Sequence, residues 1–461
     1  MLTELAQLDL GIRLALLIGL SLFTILYTSR GLQNGMGLFL ITTMWPSSQV
    51  WLFAGVGMLP IITLDRIVWL AVLVVFILQW RRGKLDKLPP DGIEYCMFAL
   101  VVVILLNMYV HKTYITGSAL SQTLGSGKPQ FYAVLGGFVY PFIGYFMMRR
   151  GVRTKAQANA FLTGVGLISI YLGVIGLGEA WRQDWLVFPK YILDPKVGIH
   201  WGYVRGPFLN ASWDGLAMVM GLPILLWLFF GRRDVSRWFW SLGIAVIGVT
   251  LAYVFQRAVW IGAAAALGIA MLAWPKRRLV LLGLVILVVA VGGLALPKTL
   301  EERIQARWAD VENIEYRLRI GESTWTMIAD HLATGVGFYR LESELANAGL
   351  ASHYSSHNTP LTLWAELGLL GFIPYLLIFI LLLSKSVKAY WRFSWARIRV
   401  GGLWGITAAY IILLLAVEMR LTIYSNVLFF TLWGLILEMI ERESIVRPQQ
   451  DVVYQRVARF V

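Results

Sequence analysis

Cysteine, histidine and charge are all scarce in this chain of 461 residues. Cys96 is the only cysteine, so no intramolecular disulfide and no thiolate metal cluster can form. The five histidines, His111, His200, His331, His353 and His357, show no HExxH-like spacing. His353 and His357 stand four apart in turn-rich "HYSSHN" with no acidic ligand nearby, so no metal site and no cofactor are expected. Charged residues make up 14% of the chain, against about 25% in an ordinary soluble protein. Internal repeats are lacking as well, which argues against the inverted-repeat transporters.

Hydrophobic residues are abundant, at 58% of the chain. Apolar runs of roughly 18 residues or more recur throughout and mark membrane-crossing helices, whose backbone polar groups are satisfied internally. The opening residues lack a basic region and a small-residue cleavage site, so "LGIRLALLIGLSLFTILYT" reads as the first span. The expected fold is an all-α polytopic membrane protein with about 12 to 14 transmembrane helices. Residues 31–64 are apolar but broken by Gly35, Gly37, Pro46, Gly55 and Pro60, and can hold one span, two short ones or a re-entrant element.

The formal net charge is +14. Its bland explanation is the cytoplasmic bias of Lys and Arg, and nucleic acid is not an expected partner. The clusters "RRGKLDK", "RRGVRTK", "GRRDVSR", "PKRR" and "KSVKAYWRFSWARIR" fall in alternate loops and agree on one inner side. The organisation read from them has spans and short loops over 1–296 with an outer loop at 180–213. A large, partly helical outer loop follows at 297–359, then the last spans at 360–440 and an inner tail at 441–461.

His357 is the sharpest candidate for chemistry. Pro360 suits a first helical turn and Asn358 or Thr359 its cap. His357 would then stand at a helix N-terminus, where anions are welcome and the imidazolium is disfavoured. Gly368 and Gly371 further along would let another helix approach. The plainer alternative is an interfacial histidine hydrogen-bonded at a helix start. Arg257 in "YVFQRAVW" sits between two apolar runs, where arginine faces a polar cavity or snorkels to headgroups. Arg205 precedes "GPFLNASWD" in a long loop. Either arginine can grip pyrophosphate with its planar fork. Glu366 and Glu418 read as buried partners for an arginine. The aromatics Trp181, Trp185, Tyr191, Trp201, Tyr203, Trp213 and Tyr354 suit an interfacial belt or a sugar cleft. "ATGVGFYRL" reads as a glycine turn, only weakly like a phosphate nest.

"HNTPLTLWAELGLLG" resembles the histidine motif of the O-antigen ligase and polymerase superfamily: His357, Asn358, nine residues, Gly368, two residues, Gly371. "RGPFLNASWDGLAM" resembles the family's arginine segment through Arg205, Phe208 and Asn210, with Leu209 where proline is usual. "FQRAVW" resembles a second segment, with Gln256 in place of serine. "RLRIGESTWTMIADHLATGVGFYRL" resembles its loop segment, with Leu332 and Ala333 for the usual proline and leucine. The resemblance implies a GT-C-like enzyme of the bacterial inner membrane with its active site facing the periplasm. Such enzymes move a glycan from an undecaprenyl-pyrophosphate carrier to an acceptor hydroxyl, without metal. His357 would be the general base and Arg205 and Arg257 the pyrophosphate ligands. Arg317, Arg319, Asn210 and Asn358 would assist. O-antigen ligation to lipid A–core is the first expectation and repeat-unit polymerisation, with a glycan acceptor, the alternative. Protein O-glycosylation and lipid or sugar transport rank lower.

Overall fold

The computed structural model describes residues 10–45, 63–113, 129–231, 235–274, 312–350 and 356–457. The expected span over 279–296, the cluster at 275–278, His353 and Tyr354 lie outside them. The described residues are helical, with no β-strand among them. In chain order the helices are α1 (Leu10–Ser29), α2 (Leu32–Thr43), α3 (Leu64–Arg81) and α4 (Gly92–Val110). Helix α5 joins Pro129–Val134, a π-helical turn Leu135–Val139 and Tyr140–Gly151. Then come α6 (Lys155–Ala180), α7 (Ala211–Gly231), α8 (Ser236–Ala252), α9 (Arg257–Ala273), α10 (Glu312–Asp330) and α11 (Leu341–Asn347). The chain closes with α12 (Thr359–Arg392), α13 (Arg397–Leu414) and α14 (Ile423–Val457). Seven helices are long and apolar enough to cross a membrane, and three shorter apolar helices accompany them, among the described residues. Within 31–64 the structure shows α2 and the start of α3, with 46–62 outside the description.

Local chemistry sets the helix starts. The Asp91 carboxylate accepts the Glu94 N–H at 3.0 Å, and Thr154 and Gln157 cap α6 reciprocally. Between α2 and α14 the bundle buries one continuous core. Residues 423–440 of α14 are wholly buried, so α14 is the central post. Helices α4 and α12 keep Phe98, Leu105, Leu106, Leu370 and Ile373 exposed, the faces that suit lipid.

Small residues set the closest packing. Helices α9 and α13 run antiparallel, with Gly262 against Ala409 and Leu413, Gly405 against the Ala266 carbonyl, and Gly401 against Ala273. This register carries Arg257, at the start of α9, to the same end of the bundle as the α13–α14 loop. Helix α14 runs parallel to α5, with Gly434 on the Tyr145 backbone and Gly137 on that of Arg420.

The opposite end is locked by ion pairs. Arg150 binds Glu94 at 2.9 Å, while Arg149 reaches Asp91 at 3.2 Å and Glu438 at 3.4 Å. Lys385 meets Asp91 at 2.6 Å and Arg442 pairs with Glu438 at 2.9 Å. These contacts tie the ends of α4, α5, α12 and α14 together. Arg149 and Arg150 of the "RRGVRTK" cluster are therefore buried partners here, not merely solvated charges.

Candidate active site at the broken helix

Helix α12 is in two pieces. Gly368 has φ 60° and ψ −164°, a conformation close to glycine-only, and it divides a short N-terminal piece, 359–367, from the long remainder. The break frees backbone groups, and the turn 332–338 takes them up. The N–H groups of Leu369 and Leu370 donate to the carbonyls of Leu332 (2.9 Å) and Ala333 (3.3 Å). The carbonyls of Ala365 and Glu366 accept from the N–H groups of Val336 (2.9 Å) and Gly337 (3.0 Å). The irregular backbone is tolerated because the turn supplies partners for the freed groups. A Cβ on Gly368 would lie 2.3 Å from the Ala333 carbonyl carbon. The expected close approach at Gly368 is therefore made by a turn, not by a helix. Gly371 lies in the continuing helix, where a Cβ would meet the Leu367 side chain at 2.4 Å. The turn "ATGVGF" gives N–H groups to peptide carbonyls, so it is a helix plug and not an anion nest.

The short piece presents His357 and Asn358. Asn358 is the N-cap, its Oδ1 accepting the Leu361 N–H at 3.0 Å. His357 just before it has φ 49°, an uncommon backbone for a non-glycine residue. Ser356 Oγ donates to the Asn358 carbonyl at 2.8 Å. Thr359 Oγ1 donates to the Val417 carbonyl at 3.0 Å and accepts the Met419 N–H at 2.9 Å, fastening the helix start to the α13–α14 loop. Burial holds the His357 imidazole down to about 4, with the Arg317 guanidinium pressing the same way and the Glu418 carboxylate opposing.

An arginine that sequence reading had passed over organises this loop. Arg420 is buried and grips both carboxylate oxygens of Glu418, Nε to Oε1 at 2.9 Å and Nη2 to Oε2 at 3.1 Å. Its Nη1 donates to Glu366 Oε2, and its guanidinium lies over the Phe338 and Tyr339 rings. Glu366 Oε1 in turn accepts the Leu341 N–H at 3.4 Å. The signal was a Glu–x–Arg pair between apolar runs, "VEMRL", with Glu366 unmatched inside a span.

The two arginines expected to assist, Arg317 and Arg319, lie on different sides of α10. Ile320, Thr324 and Ile328 face inward. Arg317 lies beside that row and donates to the Ala416 carbonyl at 3.2 Å, while Arg319 is exposed on the far side.

Arg205 is placed differently from the expectation. It is 0% exposed, and its guanidinium donates to the carbonyls of Ile192 (2.7 Å), Asp194 (2.6 Å) and Val197 (2.5 Å). Trp201 covers it at 4.6 Å. The Glu179 carboxylate accepts the N–H groups of Arg205 (3.3 Å) and Gly206 (2.8 Å). In this arrangement Arg205 staples the 187–210 loop and offers no open fork to a pyrophosphate. Asn210 caps α7 through the Ser212 N–H at 2.9 Å. Leu209, where proline was usual, has φ 55° and donates its N–H to Gly206 at 3.1 Å. Proline can do neither, so the departure is a backbone requirement. Of the loop aromatics, Trp181, Trp185 and Trp201 are exposed, and Tyr191 donates to the Pro207 carbonyl at 2.9 Å.

Residues 242–376 match a family model described as O-antigen ligase. That segment holds Arg257, Arg317, His357 and the broken helix through Gly371; Arg205, Glu418 and Arg420 lie outside it. No match to a curated protein was found.

Proposed function

We propose that this chain, a multi-pass helical protein whose residues 242–376 match a family model described as O-antigen ligase, belongs to that superfamily and moves a glycan from an undecaprenyl-pyrophosphate carrier to the hydroxyl of lipid A–core. The reaction is assigned to the periplasmic face of a bacterial inner membrane. The observation that carries the reading is His357, held at φ 49° immediately before the Asn358 cap of a half-helix whose start is fastened to the α13–α14 loop.

In this scheme His357 accepts the proton of the acceptor hydroxyl as its oxygen attacks the anomeric carbon. The glycosidic bond to the carrier breaks, and its electron pair leaves with the pyrophosphate. Arg257 and Arg317 supply cationic forks where that charge develops. The end of α9 that carries Arg257 lies on the same side as the α13–α14 loop. Glu418, held by Arg420, stabilises the imidazolium that His357 becomes. Asn358 fixes the helix start and Asn210 the start of α7. Arg205 shapes the 187–210 loop, and Arg319 has no part.

The test is transfer by purified protein in nanodiscs, given undecaprenyl-pyrophosphate glycan with and without lipid A–core. Product on the core, lost in His357→Ala and weakened in Arg257→Lys, is the expected result. Chain growth on the carrier without core would make the protein a polymerase instead. Full transfer by His357→Ala would remove the histidine from the chemistry.

A further inference from the structure

The half-helix 359–367 is severed from the rest of α12, so its direction is not inherited from the membrane-spanning part. One side chain touches both faces of the joint. Asn107, 8% exposed near the end of α4, donates through Nδ2 to the Thr334 carbonyl at 2.8 Å and the Glu366 carbonyl at 3.3 Å. Its Oδ1 accepts the Phe338 N–H at 2.7 Å. The first and last contacts hold the plugging turn; the middle one holds the end of the half-helix. Only an amide offers a neutral donor and acceptor in that fork.

The joint leaves no room to slide. A Cβ on Gly335 would stand 2.3 Å from the Glu366 carbonyl carbon and 2.6 Å from the Gly368 nitrogen. Backbone thus meets backbone, and Asn107 is the side chain that pins the two together from a third helix.

We infer that Asn107 is a positioning residue for His357, fixing the angle of the half-helix that carries the base. This rests on the reading of His357 as that base. The lever is short but sufficient. Nine residues at 1.5 Å each make about 13 Å, so a tilt of about 5° at the joint moves the far end by about 1 Å. A displacement of that size costs a reaction roughly 100-fold when it misaligns reacting groups.

The experiment compares wild type, Asn107→Ala and Asn107→Ser in nanodiscs by three measurements: thermal midpoint, amide exchange, and kcat with donor KM. His357→Ala is run beside them. Faster exchange is expected at 332–338 and at Leu369 and Leu370, where the plug loosens. The rate constant kcat per folded molecule should fall about 10- to 100-fold, with donor KM within about twofold of wild type. Faster exchange with unchanged kcat would leave Asn107 a purely structural residue, and unchanged exchange would show that it does not hold the joint. Either overturns the inference. Full activity in His357→Ala would instead bring down the base assignment, a separate failure. Should the alanine variant fail to accumulate, the serine variant, which keeps a short polar group, is read by the same criteria.

Discussion

Replacing Gly368 with alanine strikes the joint directly, and its cost can be worked from the backbone. At φ 60° and ψ −164° an L-residue is strained, by about 1–3 kcal/mol. The new Cβ would also sit 2.3 Å from the Ala333 carbonyl oxygen and 2.5 Å from the Thr334 nitrogen. Both belong to backbone, so no rotamer change relieves the overlap. Relief requires the turn to withdraw, which breaks the bonds from Leu369 and Leu370 to Leu332 and Ala333. Two such bonds contribute about 0.5–1.5 kcal/mol each. The total is roughly 2–6 kcal/mol, a large part of the ~5–15 kcal/mol that holds a typical domain. Gly321→Ala is the internal control: it lies within α10, and nothing stands within 4 Å of its added Cβ. That change should be neutral or stabilising by up to about 1 kcal/mol. The assay is thermal unfolding in nanodiscs with amide exchange at Leu369 and Leu370. A Gly368→Ala protein with the midpoint and exchange of wild type would refute the plugged-break account.

Three other substitutions have defined outcomes. Arg420→Met strands Glu366 and Glu418 in a buried setting and should destabilise the protein by about 3–5 kcal/mol; a midpoint unchanged in thermal unfolding would show that the network carries no such weight. Arg205→Ala leaves the carbonyls of Ile192, Asp194 and Val197 without their donor, so trypsin should cut faster after Lys190 and Lys196, and native-like resistance would count against the staple. Arg317→Ala removes the cation that lowers the His357 imidazole, so the acid limb of kcat/KM should move up from about 4 toward the ordinary histidine value; a limb that stays put would dissociate Arg317 from the base.

The helical, multi-pass architecture was legible because lipid imposes long apolar runs, and runs survive in a one-dimensional reading. The helix start at Pro360 was legible for a similar reason, since caps are local. The break at Gly368 was not. A glycine that lets a neighbour approach and a glycine that ends a helix leave the same mark in an apolar run. What distinguishes them is the turn at 332–338, some thirty residues upstream. Arg420 escaped for want of a partner in view: Glu366 is 54 positions away, and nothing in the intervening sequence joins them. The case of Arg205 is the converse. Its planar fork suits oxygens, but those it meets are its own loop's carbonyls, brought round by a fold no local pattern encodes. That Arg317 lies beside the inward row of α10 and Arg319 does not was within reach, because Ile320, Thr324 and Ile328 mark that face.

The same electrostatics bear on when His357 can act. A group held down to about 4 is almost wholly neutral at pH 7, which a base requires, but it is also a weak base, far from the value near 7 that favours proton transfer. The opposing influences name the remedy. Burial and Arg317 lower the imidazole, and Glu418 raises it, so added negative charge at the site raises it further. On the proposed reaction that charge arrives with the donor, whose pyrophosphate also engages the arginine that presses on His357. Donor binding then strengthens the base just when an acceptor hydroxyl must give up its proton, and leaves it neutral in the empty site. The consequence is a split between two pH profiles. The acid limb of kcat/KM reports the free enzyme and should fall only near pH 4, whereas that of kcat reports the loaded enzyme and should lie at higher pH. Coincident limbs in steady-state kinetics from pH 4 to 8 would mean that the donor's charge does not reach His357. Arg257 and Arg317 would then have to be pairing with something other than the leaving pyrophosphate.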